Sequence, residues 1–399
     1  MRHALFEALQ EHFFRDDKSI YGWQAWPAAF RDPGSAEVDR FAATHRERVE
    51  YYQYLQWQAA LQLRGFAQRL RDRGAAIGFY ADLAVSIDRS GAEAWANQHT
   101  YAVAASVGAP PDEFNQRGQD WGLPPLVPQR LRDARYAPFI ATLRANMRCA
   151  GALRIDHVMG LMRLFWIPVG AQPAHGAYVQ YPLDELRGIL ALESQRHRCL
   201  VVGEDLGTVP EELRGALSQA GVVSTRLLIF EHQPSGEFKA PEAYPAQAIV
   251  AVSTHDLPTL AGWWEGRDLD WRTELGLFPD EAMRTQQIAA REKDRRLLLQ
   301  ALEREALLPP GAGGDPASLP AMTDSLALAV HAFIARTPAQ LMLVQPEDVI
   351  GAREQANLPA TVDSHPNWRR KLPLTVESWP SADQFVEFAR MLQRSRGAS

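Results

Sequence analysis

Cysteine is almost absent from this chain of 399 residues: only Cys149 and Cys199 occur. Two thiols outside any Cys-x-x-Cys pair build neither a disulfide framework nor a zinc site, so both are expected as buried, reduced side chains. Positive charge is not in excess either, with 42 Lys and Arg against 48 Asp and Glu and a formal net charge of −6. That balance leaves no basic stripe for a phosphate backbone, and no nucleic-acid partner is expected. No apolar run approaches membrane-spanning length, so no membrane is expected. The N-terminus MRHALFEALQEHFF is charged and helical in period, unlike a secretory signal, and the expected compartment is the cytoplasm. A His-Glu-x-x-His pair is missing and no three-ligand spacing occurs, so no metal is expected. The GAGG within Pro309–Pro320 lacks the preceding strand and the following Lys-Ser/Thr of a phosphate loop and reads as a linker. Nothing calls for a cofactor.

What is there fits a globular protein: 46% hydrophobic and 23% charged residues. The length suits an α/β barrel with insertions. Residues 3–14 read as a short helix, and Tyr21–Pro33 as a Trp- and Pro-rich loop. A long helix follows. In it Phe41, Val49, Tyr52, Leu55, Ala59, Leu63, Phe66 and Leu70 recur on one face, and Gly74 ends it. Short apolar runs then alternate with helical stretches, the pattern of βα units around a parallel sheet. Six strands are expected: Ala76–Tyr80, Ala152–Ile155, Cys199–Gly203, Val222–Ile229, Ala248–Ser253 and Leu341–Val344. Polar residues end them: Asp82, Asp156, Glu204, Glu231, Asp256 and Glu347. The carboxyl ends of parallel strands are where such barrels place their chemistry. Helices are expected over Ala137–Met147, Leu183–Arg196, Glu211–Gln219, 280–305, 322–336 and 381–395, the last capped by Ser381.

Three constellations stand at strand ends. In RIDHVMGLMRLFWIP (Arg154–Pro168), Arg154 and Asp156 alternate and so share a face. An arginine beside a carboxylate favours its ionised form, as a nucleophile requires; a structural ion pair is the plainer alternative. In VVGEDLGTVP (Val201–Pro210), Glu204 and Asp205 follow a buried strand. Adjacent residues of an extended strand face opposite sides, so one can act as acid/base while the other braces the loop. A helix-capping cluster is the alternative. In STHDLPTLAGWW (Ser253–Trp264), His255 and Asp256 end an apolar strand, though His255 alone reads equally as a hydrogen-bonded core histidine. Chemistry that uses carboxylates alone includes glycoside cleavage, in which one attacks the anomeric carbon and another protonates the leaving oxygen. Trp121, Trp166, Trp263 and Trp264 lie close in sequence and offer faces for sugar rings, or simply pack in the core.

These blocks resemble the 4-α-glucanotransferases, the amylomaltase or disproportionating-enzyme family. GAPPDEFNQRGQDWGLPP (Gly108–Pro125), RIDHVMG, GEDLGTVP, STHDLPTLAGWW and QANLPATVDSHPNWRRKLP (Gln355–Pro373) carry the match, which runs from about residue 20 to residue 375. The resemblance implies a (β/α)8 TIM-type barrel, here incomplete at about six of eight strands, with helical insertions. It implies a helical segment over 1–74, packed on or inserted in the barrel, and a catalytic partial barrel over 75–399. It makes Asp156 the nucleophile, Glu204 the acid/base and Asp256 the transition-state stabiliser. Arg154 and His255 assist, and Asp112, Trp121, Asp205 and Asn357 are candidates for holding the glucan. The implied partners are α-1,4-glucan or maltooligosaccharide donors and acceptors. Two departures stand out. Leu257-Pro258 follows Asp256 where the family usually has Asn-Asp. The family's two earlier strands, with their Ser-Pro-Tyr-type loop, find no counterpart, so an N-terminally shortened chain is expected.

The expected reaction is a retaining double displacement. Glu204 protonates the glycosidic oxygen while Asp156 attacks; Glu204 then deprotonates the 4-hydroxyl of an incoming glucan. Such a pair should lie about 5–5.5 Å apart. Two rivals stay open: an α-glucan hydrolase on the same barrel, and a non-catalytic glucan-binding fragment.

Overall fold

A computed structural model describes residues 1–111, 117–359 and 361–397 of the chain. These residues form two compact units, Met1–Val223 and Ser224–Ser399.

In the first unit helices come before any strand. The helix Ala36–Thr44 is capped by Ser35, whose Oγ accepts from Val38 N. His45 interrupts, and the helix Arg46–Asp72 follows. The single long helix expected from the periodicity is therefore two. Of its proposed apolar face, Phe41 and Val49 are buried whereas Leu55 and Phe66 are exposed. Gly74 ends the second helix as expected. Its φ of +75° suits glycine, and Ala75 N donates back to Leu70 O.

The strands of this unit are β1 (Tyr80–Leu83), β2 (Ala105–Ala109), β3 (Gln119–Asp120), β4 (Ala152–Ile155), β5 (Arg163–Pro168), β6 (Ala177–Gln180) and β7 (Leu200–Gly203). β1, β4 and β7 pair in parallel, with Leu83, Ile155 and Gly203 in register at their carboxyl ends. Apolar side chains on them, including Leu153 and Val201, pack in one core with Leu143, Met147, Leu190 and Leu213 of the covering helices. The run Ala76–Tyr80 is not the first strand. Gly78 sits at a φ of +72°, which breaks extended backbone, and the strand starts at Tyr80. Asp82 consequently lies inside β1, opposite Arg154, rather than beyond its end.

Here Gly151 permits a close approach: a Cβ on it would lie 1.6 Å from Ile77 O. Gly151→Ala should therefore push β1 away from β4 and destabilise the fold by about 3 kcal/mol, a fall of several degrees in thermal melting.

A second sheet escaped the sequence reading. It is antiparallel, in the order β3-β2-β5-β6. Six of the fifteen residues of the block read as one motif, Arg154–Pro168, thus form a strand of another sheet.

The second unit carries β8 (Val223–Leu227, whose first residue closes the first unit), β9 (Ala248–Ala251) and β10 (Leu341–Met342). β8 and β10 each pair with β9 in parallel. All four residues of β9 are buried, as a strand covered on both faces must be. Its core gathers Val250, Trp264, Leu298, Val330 and Phe333. The helix Asp324–Ala335 is buried along most of its length, and Thr323 caps it. The closing helix Asp383–Arg396 starts after Ala382 with no side-chain cap. Ser381 belongs instead to a preceding 3-10 turn and donates to Ser378 O at 3.0 Å.

The fold is α/β, with six parallel strands of an incomplete TIM-type barrel. Cys149 and Cys199 are both buried and free. No helix among the described residues is long and apolar enough to cross a membrane.

Candidate active site

Asp156 and Glu204 each stand one residue beyond the register pair Ile155 and Gly203. Neighbouring parallel strands lie about 4.8 Å apart, so continuing the register brings the two acids side by side. Backbone bonds carry that register past the strands: Asp156 N donates to Leu83 O, Glu204 N to Ile155 O, and Val158 N to Glu204 O.

Arg154 holds two acids, one on the neighbouring strand β1 and one just beyond its own strand. Its Nη1 lies 2.7 Å from Asp82 Oδ1 and its Nη2 lies 2.9 Å from Asp156 Oδ1. The guanidinium is largely buried, while Asp156 keeps a third of its side chain open to solvent. Arg154 stays a cation: although burial works against its charge, the bond it donates to Asp82 and the fields of Asp156 and Glu204 raise its pKa.

The Glu204 carboxyl accepts at both oxygens, from His157 N at 2.9 Å and from Leu206 N at 3.0 Å. Its pKa is nevertheless raised. Burial is the largest cause, and the Asp156 charge adds to it. The two backbone N–H groups and Arg154 oppose the shift. Desolvation thus supplies more of the rise than the neighbouring charge does.

His157 was not singled out in the sequence, and its part here is mainly backbone. It adopts a φ of +46°, uncommon for a residue with a Cβ, and this turn aims its N–H at Glu204. Its buried ring is pushed down to about 4 and is neutral at neutral pH. Trp121 stands edge-on to that ring at 5.2 Å and donates its Nε1–H to Gln119 Oε1. Asp205 reaches Arg214 of the helix that follows. It is buried, with Arg214 Nε of the helix Glu211–Gln219 3.9 Å from its Oδ2, the position of a brace beneath the loop.

A second group forms in the second unit beyond β9. His255 Nε2 lies 3.3 Å from Asp256 Oδ2. Asn357 Nδ2 donates to Asp256 Oδ1 at 2.7 Å, and Asn357 N donates to His255 O at 3.2 Å. Trp368 was inside a quoted block but not proposed for a role. It is exposed, has a φ of +57° and lies 5.2 Å from the His255 ring. A polar cluster flanked by an exposed indole offers hydroxyl partners and a stacking face. Asp112 lies outside the described residues.

Chemically, the first group pairs a carboxylate held by an arginine with a half-buried carboxyl whose proton is retained to higher pH. That is the division of labour between nucleophile and acid.

Comparison with known proteins points the same way. A family model described as 4-alpha-glucanotransferase matches residues 1–375. The 4-alpha-glucanotransferase of Haemophilus influenzae is 41% identical over 365 residues, covering 91% of this chain and 52% of that protein. That of Mycobacterium tuberculosis (strain H37Rv) is 41% identical over 359 residues, covering 88% of this chain and 48% of the relative. Among solved structures, amylomaltase from Corynebacterium glutamicum aligns with a TM-score of 0.85 at 33% identity, over 98% of this chain and 54% of that one. An amylomaltase from Streptococcus agalactiae, solved in complex with acarbose, shares the fold at a TM-score of 0.77 and 17% identity, over 100% of this chain and 72% of that one. The chain spans about half the length of the curated relatives it matches. On the match to residues 1–375 and on this kinship, the chain belongs to the 4-alpha-glucanotransferase family.

Proposed function

We propose that this chain carries the catalytic centre of a 4-alpha-glucanotransferase, moving α-1,4-glucan segments between maltooligosaccharides by a retaining double displacement. The observation that supports it best is the in-register pair Asp156 and Glu204 at the ends of β4 and β7, one beside Arg154 and the other half-buried with a pKa raised by desolvation. In this reading Glu204 gives its proton to the glycosidic oxygen as Asp156 bonds to the anomeric carbon. The severed glucan leaves with a free 4-hydroxyl, and a covalent glucosyl-enzyme remains. Glu204, now ionised, takes the proton from the 4-hydroxyl of an acceptor, whose oxygen displaces Asp156. Two inversions leave the linkage α.

Asp256, held by Asn357 and next to His255, stabilises the transition state through hydroxyls of the cleaved residue. Trp121, Trp368 and Asn357 hold the sugar chain. Asp205 serves by bracing the loop that carries Glu204. The helical segment 1–74 supports a catalytic region over 75–399, and the place of action is the cytoplasm. Asp112 stays a candidate contact.

Incubation of the full chain with maltotriose tests the proposal. Transfer yields glucose together with a ladder of longer maltooligosaccharides. Products no longer than the substrate would mean hydrolysis, and an unchanged substrate pool would leave glucan binding alone. Acarbose, the ligand of the solved Streptococcus agalactiae protein, is the probe for that binding.

A further inference from the structure

The loop that carries Asp256 is fastened by one returning segment, 348–357. Within the loop Ser253 Oγ donates to Pro258 O at 2.7 Å. At its far end Thr259 Oγ1 donates to Ala352 O at 2.6 Å and caps the helix Leu260–Glu265 by accepting from Gly262 N. Leu260 N, in the first turn of that helix, donates to Asp348 Oδ1 at 2.7 Å. Gly262 is pressed so close that a Cβ on it would lie 2.3 Å from Arg353 O. Five residues after Ala352, Asn357 reaches the Asp256 carboxylate itself.

Asp348 is the unusual member. It is 2% exposed; among the described residues its second oxygen has no hydrogen-bond partner, and His331 Nε2, also without one there, lies 3.8 Å away. Since Thr259 already caps the helix, a buried acid is not needed for capping. A deeply buried carboxyl with one bond is costly to keep unless that bond matters. Its bond fixes where the helix starts and so where the loop before it ends. Resting on the function proposed above, we infer that Asp348 is a positioning residue for Asp256, setting the loop so that Asn357 and Asp256 meet in their working geometry. Burial pushes its carboxyl up to about 7. Either protonation state keeps an oxygen that accepts from Leu260 N, so the neutral isostere asparagine can do the same.

The test uses the full chain and maltotriose with Asp348→Asn, Asp348→Ala and Asn357→Ala, each assayed below its melting transition. Hydrogen exchange is followed over residues 254–260. Asp348→Asn should keep kcat within about threefold. Asp348→Ala should lower kcat about a hundredfold, the usual effect of misplacing a reacting group by about 1 Å, with KM little changed and protection lost at Leu260. Combined with Asn357→Ala it should cost far less than the product of the two single effects. Undiminished kcat in folded Asp348→Ala, or an equal loss in Asp348→Asn, overturns the inference. Should the wild-type chain transfer nothing, the functional proposal fails instead. The positioning inference is then judged on exchange alone, where unchanged protection in Asp348→Ala overturns it.

Discussion

Asp156→Asn should lower maltotriose turnover about a thousandfold or more, roughly 4 kcal/mol of barrier, while the chain stays folded. The amide is a poor nucleophile at the anomeric carbon, so no glucosyl-enzyme forms. Folding should be little affected. The side chain is a third exposed, and Arg154 retains its shorter contact with Asp82; a pair this open contributes about 1 kcal/mol at most. Far-ultraviolet circular dichroism and thermal melting check the fold, and mass spectrometry with a glucosyl fluoride checks the intermediate. The substitution should also move Glu204. The Asp156 charge is one of the causes that raise the Glu204 pKa; without it the titration shifts to lower pH, readable by carbon-13 chemical shift. Turnover near the wild-type value would remove Asp156 from the nucleophile's role.

Glu204→Gln separates the acid from the base by choice of substrate. With maltotriose the loss should be about a thousandfold, within the usual range for general acid–base catalysis. With an α-maltosyl fluoride the leaving group needs no proton, so the first step should proceed and the covalent intermediate should accumulate. Azide needs no base to attack it, and adding azide should restore turnover to an α-linked azide. The pH profile gives a third reading. An acid must hold its proton, so wild-type turnover falls as pH rises through the elevated Glu204 pKa. The variant should lose that alkaline limb. Equal losses on glycoside and fluoride would show that Glu204 does not supply the proton.

The parallel strands β4 and β7 were legible because each is a short apolar run ended by an acid. Ala152–Ile155 matches β4 residue for residue, and Leu200–Gly203 differs from the expected run by one residue. The antiparallel sheet was not. β3 has two residues, too few for a period, and β5 follows the Asp156 turn so closely that the two read as one motif. The first strand slipped because apolarity extends back through Ala76, whereas Gly78 decides where extended backbone begins. Within the candidate site the acids announced themselves by type and place. His157 did not, since it contributes a backbone N–H that every residue but proline has. Nothing in the sequence marks out Asp348, and only packing reveals that its buried carboxyl has, among the described residues, one hydrogen-bond partner. The order of the causes acting on Glu204 was hidden for the same reason, because burial belongs to the fold rather than to neighbours in sequence.

Anchoring of Glu204 at both oxygens by His157 N and Leu206 N bears on stereochemistry. A carboxyl gripped on either side cannot swivel about its terminal torsion, so the lone-pair direction available to a proton is the same whether it is being released or recaptured. On the proposed mechanism, departing and arriving oxygens then visit one locus on the sugar's face, and a water or glucan approaching from elsewhere finds no base. Loosening either grip, for instance by proline at position 206, would let the carboxyl rotate and blur that shared address.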